Sequence, residues 1–322
     1  MKRLFLSVFL SLIIIFALIS GAYLLRPTNI NINIDKLQNV KSEQRVLLIQ
    51  GSWGKDKGQF GIDESGWLPG PMSLASDAND NVFLLDQLNS RVQIFSDRGQ
   101  LIDVLKIDNT TYEDIAIDDD GFIYLLDPVE NRLVRKFNRH GKIIRTYRIA
   151  SEVQPISGLL LSDNKVYVEV AHKKLYSVGT NLKASRTSDQ KKPELTGRPG
   201  EDFTTEAEIN SNGEVNAEIK GHYPIDAIKI TGSANVYSII SINSDNDENL
   251  YITLNTAKTD AQFDQNKDRL LGLVIGPDGL VNKKFSASND YYTSHFRKIT
   301  VSSNGTIFQM QTTKKGVLVW RW

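Results

Sequence analysis

The sequence contains no cysteine. Disulfides, thiolate zinc sites, iron–sulfur clusters and cysteine nucleophiles are therefore excluded together. Histidine is almost as scarce: His140, His172, His222 and His295 are the only four. No two are spaced as ligands on one element, so a zinc or iron centre would have to be assembled from distant parts of the chain. Surplus charge is missing too, with 38 Lys and Arg against 38 Asp and Glu. A chain that holds a polyanion needs a cationic excess, which argues against nucleic acid as the partner. The signatures Gly-x-Ser-x-Gly, His-Glu-x-x-His and the phosphate-binding loop are absent. Beyond the N-terminus there is no stretch with a 3.6-residue apolar period of helical length, which excludes helical solenoids.

One long apolar run is present. Met1-Lys2-Arg3 leads into Leu4–Leu25, 22 residues interrupted mainly by Ser7, Ser11, Ser20 and Gly21. At about 1.5 Å per residue such a run crosses a hydrocarbon core of about 30 Å. It exceeds the ~7–15 apolar residues usual in a cleaved signal. Lys2 and Arg3 precede it and only Arg26 follows closely, which orients the N-terminus to the cytoplasm. Residues 1–26 therefore read as an uncleaved signal anchor, a single transmembrane helix in the cell membrane. Residues 27–44 read as a linker, and 45–322 as one domain on the extracytoplasmic side. Secretion after signal cleavage is the alternative.

The domain repeats. Asp86 and Asp127 are 41 positions apart, as are Arg91 and Arg132, and Phe95 and Phe137 are 42 apart. Each block is preceded by a strand and a polar turn (Asp77–Asn81, Asp118–Gly121) and followed by a Gly turn and another strand. Four short strands in ~40–45 residues is the period of a propeller blade. Weaker copies run through Ile156–Val170, Asp245–Thr253 with Leu271–Gly279, and Ile299–Trp320. Thr204–Lys220 supplies a further hairpin. The last copy stops one strand short, and Val46–Ile49 supplies a spare strand at the other end. The expectation is an all-β, six-bladed propeller with four-stranded blades, closed by pairing the N-terminal strand with the last blade. Six blades in 45–322 take about 46 residues each, against about 40 for seven and 56 for five.

Asp86…Asn89…Arg91-Val92-Gln93-Ile94-Phe95 resembles the NHL repeat, roughly Asp-x-x-Asn-x-Arg-Ile-x-x-Phe after an aromatic strand. Asp127, Asn131 and Arg132 resemble it with one residue inserted. Gly51-Ser52-Trp53-Gly54…Gly58-Gln59-Phe60 and Leu68-Pro69-Gly70-Pro71 look like the lead into such a blade. The resemblance covers about residues 46–149, and the other blades lack the Asn-x-Arg element. It implies the propeller fold without implying a function.

The repeated polar sets, Asp86, Asn89, Arg91 and Asp127, Asn131, Arg132, read as structural latches in which each Asp pairs with its Arg and caps the loop between second and third strands. The Asp-rich turns at 118–121 and 245–249 sit where a hairpin turn wants Asp, Asn and Gly. Calcium is their alternative reading, although loop position 12 is Val129 or Thr256 rather than Glu. Aromatics outside the strand pattern are candidates for a binding surface: Trp53, Trp67, Tyr291 and Tyr292, with His295. Ring closure brings their loops to one face, where an exposed aromatic cluster would take a protein partner or small ligand. Packing against the rim is the alternative. The leading expectation is a membrane-tethered, non-catalytic binding or assembly module with no cofactor. The rival is an exported metal-dependent hydrolase or lyase using the central pocket.

Overall fold

Short runs of Val, Ile, Leu, Tyr and Phe, cut every few residues by Asp, Asn or Gly, can hold only short strands. The computed structural model describes residues 29–65, 68–178, 192–257 and 269–322, and contains 25 strands in six sheets. The anchor expected at 1–26 lies outside the described residues. Among the described residues no helix is long and apolar enough to cross a membrane.

The chain enters through β1 (Asn29–Asn33), a 3-10 segment (Ile34–Asn39) and β2 (Val46–Ser52). Blade 1 is β3 (Ser73–Ser76), β4 (Val82–Asp86), β5 (Arg91–Phe95) and β6 (Leu101–Lys106). Blade 2 is β7 (Asp114–Ile117), β8 (Ile123–Asp127), β9 (Leu133–Phe137) and β10 (Ile143–Arg148). Blade 3 is β11 (Ile156–Ser162), β12 (Lys165–Val170), β13 (Lys174–Ser177) and β14 (Leu195–Thr196). Blade 4 is β15 (Arg198–Pro199), β16 (Phe203–Ile209), β17 (Val215–Gly221) and β18 (Ala227–Thr231). Blade 5 is β19 (Asn235–Ser244), β20 (Leu250–Ala257), β21 (Arg269–Ile275) and β22 (Val281–Ser288). Blade 6 is β23 (Ile299–Val301), β24 (Ile307–Thr313) and β25 (Gly316–Arg321), completed by β2. The first strand of each blade is innermost: β3 touches β7 and β23, β7 touches β11, and β19 touches β15 and β23.

The chain is thus a six-bladed β-propeller. Closure is antiparallel, with Val46 opposite Arg321 and Ser52 opposite Gly316. The two backbones meet so closely that a Cβ on Gly316 (φ +143°) would lie 2.0 Å from the Gly51 carbonyl oxygen. Closing the ring leaves no open flank between the last blade and the first.

One element was not anticipated. Residues 29–33 lie in the stretch expected to be a linker, yet β1 adds a fifth, parallel strand to blade 4, with Asn29 opposite Ala227 and Asn33 opposite Thr231. Ile32 is buried in the apolar layer between blades 4 and 5. Asp35 then accepts hydrogen bonds from the backbone N and Oγ of Ser233 at 2.8 and 2.9 Å.

Candidate functional site

The Asp-rich turns are satisfied locally. Asp118 accepts from the Phe122 backbone N (2.7 Å), the Tyr124 hydroxyl (2.9 Å) and Lys136 Nζ (3.1 Å). Asp245 accepts from the backbone N of Asp247 and Asn249, from Asn249 Nδ2 and from the Tyr251 hydroxyl. A carboxylate at this corner ties its own turn, as Asp77 does in blade 1.

The two latches differ. Asp86 is fully buried and accepts from Arg91 Nε at 2.7 Å, Asn89 Nδ2 at 3.0 Å and the Gly61 backbone N at 2.8 Å. Arg91 spreads its other donors over the carbonyls of Lys55, Asp56 and Gln59, fixing the loop that leads from β2 into blade 1. In blade 2 the expected Asp–Arg pair does not form. Asp127 accepts instead from Asn131 Nδ2 at 2.6 Å, from the backbone N of Glu130 and Asn131, and from the Thr111 hydroxyl. Arg132 turns the opposite way and donates to the carbonyls of Ala150 (2.7 Å) and Val153 (2.9 Å). The inserted residue explains the change, since Arg132 itself occupies the left-handed turn position (φ +49°) and its side chain leaves on the other side.

The aromatic candidates are partly brought together. The loops 53–72 and 289–298 pair: the Ser294 backbone N donates to the Leu68 carbonyl, and those of Phe296 and Arg297 donate to Met72. Trp53 Nε1 donates to the Thr313 carbonyl at 3.1 Å, and its half-buried ring packs on the core between blades 6 and 1. The Tyr292 backbone N donates to the neighbouring Thr312 carbonyl. Tyr291 meets His295 edge to face at 4.6 Å, and its hydroxyl accepts from Gln309 Nε2 at 2.7 Å. Trp67 lies outside the described residues. Trp53 and Tyr291 are engaged by the ring itself.

A cavity of 440 Å³ lies on the axis, where the innermost strands begin. Five blades line it, through Asp114, Ser157, Arg198, Ser241 and Arg297 among others. Two buried ion pairs frame it. Arg297 grips Asp114 with Nε (2.9 Å) and one terminal nitrogen, Nη2 (2.6 Å), and the same Nη2 donates to the Leu159 carbonyl at 2.7 Å. Arg198 grips Glu169 in the same two-pronged way, at 2.7 and 3.1 Å. Burial opposes the Arg297 charge, but the Asp114 carboxylate more than compensates and raises its pKa. Burial would likewise raise the Glu169 carboxyl, yet the His172 hydrogen bond and the Arg198 guanidinium hold it well below the usual carboxylate range. Burial, then the Lys298 ammonium, push His295 down to about 3, so its imidazole is neutral at pH 7.

Each guanidinium spends Nε and Nη2 on its carboxylate, and among the described residues Nη1 of Arg198 and of Arg297 has no hydrogen-bond partner. Ser241, 5% exposed, lines the same cavity with an unpartnered Oγ, and Asn243 with an unpartnered Nδ2. Buried polar atoms are normally paired, so these mark places for a ligand's acceptors. Ser157 and His172 do not form a nucleophile–base pair. The Ser157 hydroxyl donates to Glu169 (3.1 Å) and takes up the His172 backbone N (2.8 Å), while the His172 ring lies against Glu169 rather than Ser157. Nucleophilic catalysis needs the histidine between hydroxyl and carboxylate. Among the described residues no three His, Asp or Glu side chains stand together as a metal site.

No protein-family model matches the chain, and no curated protein matches it. Solved structures align with it at 11% identity. Hydrazine synthase from Kuenenia stuttgartiensis aligns over 80% of each chain with a TM-score of 0.46. A DUF4221-family protein from Bacteroides vulgatus aligns over 88% of this chain and 96% of its own, at 0.48. Virginiamycin B lyase from Staphylococcus aureus aligns over 86% of this chain and 98% of its own, at 0.35.

Central charged residues escaped the sequence reading because they come one per blade, at no fixed spacing. One signal was available: Glu169 interrupts Val166-Tyr167-Val168-Glu169-Val170, a strand that is otherwise apolar.

Proposed function

We propose that this chain is a non-catalytic ligand-binding propeller, tethered to a membrane by residues 1–26, with NHL-like blades 1 and 2. Its site is the axial cavity rather than the aromatic loops, and its ligand is a small polar molecule bearing a carboxylate or phosphate. One observation carries this reading: Ser241 Oγ and Asn243 Nδ2, buried and without partners among the described residues, line the same cavity as Arg198 and Arg297. Pairing with Asp114 and Glu169 holds both guanidiniums rigid before a ligand arrives and leaves each with its Nη1 to donate to an oxyanion. At the cavity the carboxylates of Asp114 and Glu169 are each engaged by an arginine, which favours an anionic ligand over a cation there.

Calorimetric titration of the full-length protein with citrate and with inorganic phosphate tests the reading. Binding by at least one probe is expected, weakened by Asn243→Ala and by Arg198→Lys, which keeps the charge but loses the Nη1 donor. Failure of both probes to bind, or binding indifferent to both substitutions, would overturn it.

A further inference from the structure

Six of the eight large apolar side chains most exposed among the described residues share one position in the fold. Ile102 (53% exposed), Ile143 (39%) and Ile144 (45%) begin the outermost strands of blades 1 and 2. Val46 (65%) and Leu47 (41%) begin the outermost strand of blade 6. Leu280 (63%) ends the turn before the outermost strand of blade 5. Each of these strands carries a register irregularity within its first residues, between Leu47 and Ile49, at Leu101–Asp103, between Ile143 and Arg145, and near Val281. A bulge there re-aims side chains that a regular strand would alternate inward. Four consecutive blades, 5, 6, 1 and 2, therefore present apolar side chains along one arc. The arc lies on the face of the third-to-fourth-strand turns, opposite the mouth of the axial cavity.

The tether arrives on that same face. β1 runs parallel to β18, and Asn29 lies opposite Ala227, the first residue after a third-to-fourth-strand turn. Ile30 packs beside Gly279, in the turn that carries Leu280. Only Arg26, Pro27 and Thr28 separate the apolar run ending at Leu25 from β1. At about 3.3–3.6 Å per residue, fully extended chain holds Asn29 within roughly 14 Å of the end of that run.

We infer that the propeller lies face-down on the bilayer, with this arc of Val, Ile and Leu side chains dipping into the lipid interface and the axial cavity turned away from it. The inference rests on the reading of residues 1–26 as an anchor. A single scattered Ile needs no explanation, but an arc of them next to the chain's entry point fits an interfacial surface. The occupant is lipid, because the short tether leaves little room for anything thicker.

The chain has no cysteine, so single labels are unambiguous. Full-length Ile102→Cys and Ile144→Cys, each carrying an environment-sensitive fluorophore, are reconstituted into phosphatidylethanolamine–phosphatidylglycerol vesicles. Lys315→Cys, in the β24–β25 turn of the opposite face, serves as control. Both rim labels should shift to shorter wavelength, be quenched by doxyl-labelled lipid and be shielded from aqueous iodide, while the Lys315 label behaves oppositely. Vesicle flotation reports the tether separately. Protein that fails to float overturns the anchor and, with it, this orientation. Protein that floats with iodide-accessible rim labels overturns the docking alone. Labels shielded from iodide but untouched by doxyl lipid would mean that protein, a second copy or another chain, covers the arc, which also overturns it.

Discussion

The junction between blades 1 and 2 is apolar, whereas the junction between blades 3 and 4 is ionic. Phe83, Leu85 and Ile94 of blade 1 interdigitate with Ile115, Leu125 and Phe137 of blade 2, all buried. Similar layers join blades 2 and 3, 4 and 5, 5 and 6, and 6 and 1. Among the described residues no apolar cluster spans blades 3 and 4. That seam holds the Arg198–Glu169 pair, Lys173 near Glu206 and Glu208, and a hydrogen bond from the Gly197 backbone N to the Lys173 carbonyl. The flanking strands β14 and β15 have two residues each. An apolar layer tolerates imperfect geometry, because burial is non-directional. An ionic seam depends on a few atoms, and losing one partner strands the other in a dry environment. The ring is therefore uniform in shape but not in what holds it. Blade 4 leans instead on blade 5 and on β1, whose Ile32 joins that layer.

The contrast should appear first in Arg198→Ala. Leaving the buried Glu169 carboxylate without its guanidinium, with only Ser157 and His172 beside it, should cost up to about 3–5 kcal/mol in urea unfolding, and replacing both residues by apolar ones should restore most of it. A cost below about 1 kcal/mol, the scale of a surface pair, would show that charge does not hold the seam. Leu125→Ala in the apolar seam should cost about 2–5 kcal/mol through cavity formation. Its cost should not change between pH 7 and 4. The Arg198→Ala cost should shrink with acidification. The Glu169 pKa is depressed in the fold, so its stabilisation is complete above the usual carboxylate value of about 4.3 and is lost as pH falls below it.

His295 gives a smaller effect in a separate window. Its folded pKa lies near 3, below the unfolded value of about 6.5, so the unfolded chain binds the extra proton between those limits. The melting temperature should fall as pH drops from 6.5 to 4.5, before the carboxylates titrate, and His295→Gln should flatten that slope. An unchanged slope would relieve His295 of the role. Lys173→Ala should have the least effect, under about 1 kcal/mol, because its partners are partly exposed and screened. A larger loss would make the ionic seam a cooperative network.

Much of the architecture could be read from local pattern. The 41-residue recurrence of Asp and Arg located blades 1 and 2, and the strand missing after Trp320 pointed to Val46–Ile49 as its replacement. Both are signals of period and turn chemistry, which the backbone obeys locally. The destination of β1 was not legible, because Asn29-Ile30-Asn31-Ile32-Asn33 alternates correctly for a strand but says nothing about which sheet edge it meets. Arg132 shows a finer limit. Its spacing from Asp127 equals that of Arg91 from Asp86, yet one inserted residue puts Leu133 in the place of Arg91 opposite the Asp and Arg132 in the left-handed place of Ser90. The axial site was hidden for a related reason: Asp114, Glu169, Arg198 and Arg297 become neighbours only once the ring is closed.

That closure also sets an order of events in the making of the protein. Trp53 and Thr313, joined by a hydrogen bond, are 260 residues apart, and β2 beside them has no partner until β25 has been synthesised. Until then blade 6 is incomplete and blade 1 has nothing against its exposed apolar flank. A protein exported while it is being made would thus spend most of its emergence as an open crescent. It would reach its working form only on release of the final strand, and interruption anywhere before residue 316 would leave a sticky fragment rather than a smaller propeller.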